Sequence, residues 1–306
     1  MRYFDLICLG TVSIDLYYKG ETLTEGDGRF ELAIGGKYFV EHFYEGLGGG
    51  GANVAIGAAK EGASVGLISK IGNNPFLPLI CQKLDDAHVI HKDLCNIEEN
   101  YINISSILLN KHGEKTIINY RTDHQNIMER EDDYKKLKNT KAVYMANLSS
   151  VSLKERIRIL SHAKSNKVKI IANLNVTDCR RPIDELLSFV KYVDIMIMNA
   201  YEYADIVKVS YESVDFHSNI IDKYVPFTKD HIVVITDGKK GSYAYHDSKI
   251  YFQEAVSADK ILDSTGAGDA YTAAFIAEFI RSEDIKKAMS KGAHYAVKIL
   301  QKLGAN

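Results

Sequence analysis

Short apolar runs rich in β-branched residues alternate along the chain with segments whose apolar residues recur at helical spacing. Residues 4–9, 65–69, 141–146, 168–172, 193–198 and 231–236 read as strands. Residues 52–61, closed by Gly62, residues 76–84, residues 152–164 and a segment opened by Pro182 read as helices between them. Ser152 stands as the N-cap of one, with Glu155 three positions on. Two helices, 269–281 and 284–303, finish the chain. The strands are almost continuously apolar, which predicts an α/β fold with a buried, mainly parallel sheet covered on both faces.

Three stretches break this rhythm. Residues 12–18 alternate with a period of two, residues 30–44 hold further β-like runs, and residues 102–120 flank a turn at Lys111-His112-Gly113-Glu114. No helical pattern separates the partners of that hairpin. These segments predict a small antiparallel sheet set beside the main one, a lid over the carboxyl ends of its strands. There is no repeat and no linker, so residues 1–306 form a single domain with this lid inserted.

Composition narrows the partners. Of 306 residues, 46% are hydrophobic and 25% charged, which excludes a disordered chain, and the net charge of -2 gives no basic field to attract nucleic acid. The first ten residues do not form a signal peptide, and no apolar stretch approaches bilayer length. Cys8, Cys81, Cys95 and Cys179 are scattered, which predicts reduced thiols in the cytoplasm rather than a disulfide framework or zinc site. His88 and His91 lack a third ligand nearby.

Two segments carry chemistry. Gly46 to Gly51, ahead of Ala52-Asn53-Val54-Ala55, place glycines directly before a helix, where the backbone can approach a ligand. The segment formally satisfies G-x-G-x-x-G, but no acidic residue follows to hold a ribose, and no Walker A motif exists. Asn53 falls in the helix's first turn, either as a cap or as an amide aimed at a hydroxylated ligand. Asp263-Ser264-Thr265-Gly266-Ala267-Gly268-Asp269 opens a second helix. Its free N–H groups at Gly266, Ala267 and Gly268 suit an anion, and Asp269 beside them can take a proton from a nucleophilic hydroxyl. A mere cap is the competing reading for Asp269.

Together these segments resemble the ribokinase-like (PfkB) family of sugar and nucleoside kinases, over essentially the whole chain. The resemblance implies a Rossmann-like, doubly wound sheet with a small β lid, and ATP-dependent phosphorylation of a sugar or sugar-like alcohol. Asp269 is then the general base and the 266–268 amides the anion hole. Asn199-Ala200-Tyr201-Glu202 resembles the family's N-x-x-E element, which assigns Asn199 and Glu202 to Mg2+ through water. Thr236, Gly238 and Gly241 match its T-x-G-x-x-G turn along the nucleotide, and His294 departs from the family by standing where an Asn beside the adenine is common. Asp15, placed at the end of the first lid strand, joins Gly49 and Asn53 on substrate hydroxyls. The resemblance also allows K+ near Asp263 and Thr265. Asn173-Leu174-Asn175 departs from the family's D-P-N, keeping only its last residue. An adenosine-type nucleoside kinase, a catalytically silent sugar- or nucleotide-binding regulator and, more remotely, a dinucleotide-dependent oxidoreductase are the alternatives. Arg121 could reach a substrate from the lid, Arg180-Arg181 could meet a phosphorylated one, and the lid's open face offers a homodimer surface.

Overall fold

The computed structural model describes residues 3–123, 126–128, 131–224 and 226–306. An eight-stranded sheet runs in the order Val65–Ile68, Phe4–Leu9, Thr140–Met145, Lys169–Ala172, Ile195–Asn199, Ile232–Thr236, Ser242–His246, Lys249–Gln253. The first six strands are parallel, and the last two join through antiparallel pairings, so that only Ser242–His246 runs against the rest. Their alternation feeds two separate apolar cores. Ile7, Leu9, Val143, Met145, Met196 and Met198 face one, against the helices Leu153–Ser165, Ile183–Val190 and Ala200–Val207. Leu6, Cys8, Tyr144, Ile171, Ile195 and Ile197 face the other, against Gly50–Lys60, Ala267–Ser282 and Ile285–Leu300. With both faces covered, the interior positions of the six parallel strands are almost continuously apolar, which is the pattern of the sequence, whereas the edge strand Lys249–Gln253 is largely exposed. Ser152 caps its helix as expected, its hydroxyl accepting from the Glu155 N–H at 3.2 Å.

From Phe4–Leu9 the chain first adds Val65–Ile68 on one side and then continues from Thr140–Met145 on the other. That reversal leaves a crevice at the carboxyl ends of these strands, the usual ligand position in such sheets.

A second sheet of four strands lies in the order Lys115–Arg121, Asn103–Leu109, Ser13–Lys19, His42–Gly48. Two sequence expectations need correction here. The sheet is mixed, because Ser13–Lys19 pairs in parallel with Asn103–Leu109. These two strands are separated by a long passage through the body, so no hairpin forces them antiparallel. Residues 31–41 are also not a strand. Pairing in that region is a two-residue ladder between Glu25–Gly26 and Arg29–Phe30, and the long strand begins at His42. Ile34 and Phe39 stand exposed, so the alternation there reflects no buried face.

Candidate active site

Thr11, Asn147, Asn173, Asn199 and Thr236 stand at or just beyond the carboxyl ends of five neighbouring parallel strands and line one cleft of about 370 Å³. Gly50 enters it from the start of one helix, Gly268 and Asp269 from the start of another, and Arg121 from the smaller sheet.

The backbone that frames the cleft depends on two glycines. Gly266, the N-cap of the Ala267–Ser282 helix, has φ of 76°, and a Cβ there would stand 2.3 Å from the Ala305 side chain. Gly49 caps Gly50–Lys60 at φ 91°, with a Cβ only 2.5 Å from the Thr11 carbonyl oxygen. Asn53 is therefore not the cap; it lies inside the first turn.

Asp269 is the third residue of its helix and is half-buried. Burial raises its carboxyl to about 6, and the Asn53 amide partly opposes this by donating to Oδ2 at 2.8 Å. The Asn53 oxygen accepts in turn from Asn306 Nδ2 at 3.2 Å. Asn53 thus holds Asp269.

Asn199 and Glu202 form a reciprocal capping box at the start of Ala200–Val207. The Glu202 N–H donates to Asn199 Oδ1 and the Asn199 N–H to Glu202 Oε2, each at 2.9 Å. Both residues line the cleft. Burial raises the Glu202 carboxyl, and the nearby charge of Asp269 adds to the effect. Two carboxylates that repel each other across a cleft, with one Glu202 oxygen outside the capping box, suit a divalent cation held through water.

Asp15 is the third residue of Ser13–Lys19 rather than its end, and is buried. Its carboxylate accepts from Ser13 Oγ at 3.0 Å and lies against Gly48, where a Cβ would meet it at 2.1 Å. Burial raises its pKa, partly offset by hydrogen bonds from Ser105 and Ser13.

The structure gathers Asn199, Glu202, Thr236, Gly268 and Asp269 at the cleft, with Asn53 attached through Asp269. Gly238 and Gly241 flank the turn after Thr236, at φ 51° and 99°. His294 does not line this cleft: it is exposed on Ile285–Leu300, with Nδ1 at 2.8 Å from the Ser290 carbonyl. Asn175 does not line the cleft; it caps Val176–Cys179 through the Asp178 N–H. Asn173 takes the cleft position, its amide donating to the Ile197 carbonyl at 3.2 Å. Arg181 is bound to Asp178 and Glu185, and Arg180 to Asp205, which gives both a structural occupation.

Sequence reasoning missed Thr11, Asn147 and Ser149. Asn147-Leu148-Ser149 reads as an accidental glycosylation sequon, yet both polar residues line the cleft, and Ser149 Oγ accepts from Arg121 at 3.0 Å. The signal was available: a polar residue at, or within two positions of, the end of each of these buried strands, as at Thr11 and Asn147. Near Asp263 and Thr265 the structure places the Lys115 ammonium, 2.8 Å from Asp263 Oδ1 and 2.5 Å from Thr265 Oγ1.

The family described as pfkB family carbohydrate kinase matches residues 4–306. The chain belongs to that family. This PfkB kinase is 26% identical over 316 residues to 5-dehydro-2-deoxygluconokinase of Listeria monocytogenes serotype 4a, covering 98% of this chain and 91% of the relative. The same identity holds over 273 residues with 5-dehydro-2-deoxygluconokinase of Clostridium botulinum, covering 83% of this chain and 78% of the relative. Arabidopsis thaliana ribokinase complexed with ribose and ATP superposes with a TM-score of 0.82 at 22% identity, over 99% of this chain and 95% of that one. Adenosine kinase from Sinorhizobium meliloti gives 0.78 at 17% identity, over 100% of this chain and 96% of that one. The fold of the PfkB kinase is therefore the ribokinase-like α/β fold. Among the described residues no helix is long and apolar enough to cross a membrane.

Proposed function

We propose that this kinase transfers the γ-phosphoryl group of ATP to a hydroxyl of a sugar acid. The observation that carries the acid is Arg121, a cation in the same cleft as Asp269 and otherwise bound only to the neutral Ser149 hydroxyl among the described residues. A guanidinium suits a carboxylate by its paired donors. Two relatives named as kinases of a deoxygluconate, itself a sugar acid, support the same reading.

Asp269 takes the proton of the attacking hydroxyl, while the Gly266, Ala267 and Gly268 N–H groups receive the charge on the transferred phosphoryl group. Asp15, Gly49 and Asn53 hold sugar hydroxyls. Thr236 and the Gly238–Gly241 turn lie along the nucleotide, with His294 at its outer end. Asn199 and Glu202 hold Mg2+ through water; bound with ATP, the ion would neutralise phosphate charge. The four-stranded sheet acts as the lid. Its outer face carries Tyr18, Phe43, Ile118 and Tyr120, the last three well exposed, and forms a homodimer surface testable by sedimentation.

The deciding experiment is a coupled ADP-release screen over aldonic and deoxy-keto-aldonic acids, their neutral sugar counterparts and nucleosides. The reading expects the highest kcat/KM on an acid. A neutral sugar or nucleoside turned over faster than every acid would overturn it.

A further inference from the structure

Asp263 is a carboxylate whose side chain is wholly shielded from solvent. Its Oδ1 accepts from the Thr265 N–H at 2.9 Å, from Thr265 Oγ1 at 2.6 Å and from Lys115 Nζ at 2.8 Å. Its Oδ2 accepts from the Gly304 N–H at 3.2 Å. Burial alone would raise its pKa; Lys115 and Thr265 more than offset that and hold it below the ordinary carboxylate value. A buried carboxylate needs a counter-charge, and this chain supplies one. Lys115 begins the lid strand Lys115–Arg121, 148 residues away in sequence. The turn it grips runs directly into Gly266, Ala267 and Gly268.

The residues therefore do not fit a free K+ at Asp263 and Thr265, because a covalently tethered ammonium already sits between those two side-chain oxygens. We propose that Lys115 is a positioning residue, the built-in cation of the anion-hole turn. Phosphoryl transfer by this enzyme then requires no monovalent cation. The same ion pair fixes the lid strand to the turn, while Arg121 at the strand's other end reaches the cleft. This rests on reading Gly266 to Gly268 as the anion hole.

The first test needs no variant. Wild-type turnover is measured with tetramethylammonium as the sole monovalent cation, then with potassium or ammonium at equal ionic strength. Equal rates are expected; strong activation by potassium would overturn the proposal. The second test uses Lys115→Ala. Its kcat in tetramethylammonium should fall by at least about tenfold, with a smaller change in the KM for ATP, and recover with ammonium or potassium. Its melting temperature should also rise in ammonium relative to tetramethylammonium, as for any ion that binds only the folded state, while the wild type's stays fixed. That melting shift reports the cradle without catalysis, so it survives if the anion-hole reading fails. Full activity of the variant, or a loss that no small cation restores, would refute the role. Should the alanine variant not fold, Lys115→Gln, which retains an N–H donor but no charge, takes the same two measurements.

Discussion

Asn53 donates its amide to Asp269 Oδ2 at 2.8 Å, joining the first turns of two helices that lie 216 residues apart in the chain. The amide stabilises the carboxylate, whereas burial disfavours it, and burial wins, leaving the group at about 6. A base must be unprotonated, so kcat/KM should fall as pH drops through about 6. Replacing Asn53 with Leu removes the hydrogen bond that lowers the pKa. The acid limb of the profile should then move to higher pH. Profiles of the two proteins that share one acid limb would assign that limb to another group.

Asp269→Asn keeps the size of the side chain and its acceptor for Asn53 but cannot take a proton. Its kcat should fall by roughly 10²–10⁴-fold, the usual worth of a positioned base. Stability should move the other way. Burial raises the Asp269 carboxyl to about 6 in the folded state, above the ordinary aspartate value of about 3.9, so its charge penalises the folded state increasingly between those values and fully above them. Removing the charge should raise the melting temperature at pH 8 and bring no such gain below pH ~4, where the carboxyl is neutral in both states. Thermal melts at the two pH values check the sign, and single-turnover kinetics check the rate.

Glu202→Gln separates two roles that share one side chain. Gln can still accept from the Asn199 N–H, so the capping box and helix should remain, with a stability change under about 1 kcal/mol. The charge is lost, and the Mg2+ concentration for half-maximal rate should rise severalfold. A matching Mg2+ titration in wild type and variant would leave Glu202 with its cap alone.

The six parallel strands of the main sheet were legible because burial on both faces makes them almost continuously apolar; Ser242–His246 and the largely exposed Lys249–Gln253, which mix polar and apolar positions, were missed. The lid was half legible. Lys115–Arg121 and Asn103–Leu109 have a hairpin turn between them, but residues 31–41 carry exposed aromatics whose alternation answers to no core, while the true strand His42–Gly48 holds two glycines and a glutamate. Asn199 and Glu202 show a different limit. Their spacing is both the family's element and a capping box, and only the structure shows the reciprocal hydrogen bonds. Nothing local in the sequence ties Lys115 to Asp263, because their pairing follows from where the lid strand begins.

Asp15 tests the proposed contact with sugar hydroxyls. It is buried in the strand Ser13–Lys19 and raised in pKa by that burial, a cost that a bound hydroxyl donating to it would offset. Asp15→Ala should weaken sugar binding by about tenfold or more, the worth of a charge-assisted hydrogen bond, and leave ATP binding nearly unchanged. Calorimetric titration of each ligand distinguishes this from a general disturbance of the lid, which would weaken both.

Arg121 tests the charge of the substrate. Its guanidinium lines the cleft and donates to Ser149 Oγ, and the residue lies on the same strand as Lys115. A Met at this position keeps much of the stem's apolar contact and removes the donors and the charge. If a substrate carboxylate rests there, KM for the sugar acid should rise by roughly tenfold to a hundredfold, since hydrogen bonds to charged groups are worth about 1.5–3 kcal/mol. KM for the corresponding neutral sugar should hardly move, because a hydroxyl loses far less. Lys at the same position should restore only part of the affinity, having charge without the paired geometry. The comparison is read as a ratio of acid to neutral kcat/KM in the three proteins. A ratio that stays constant would place the substrate's carboxylate elsewhere, or show that the substrate has none, and return Arg121 to a contact between lid and body.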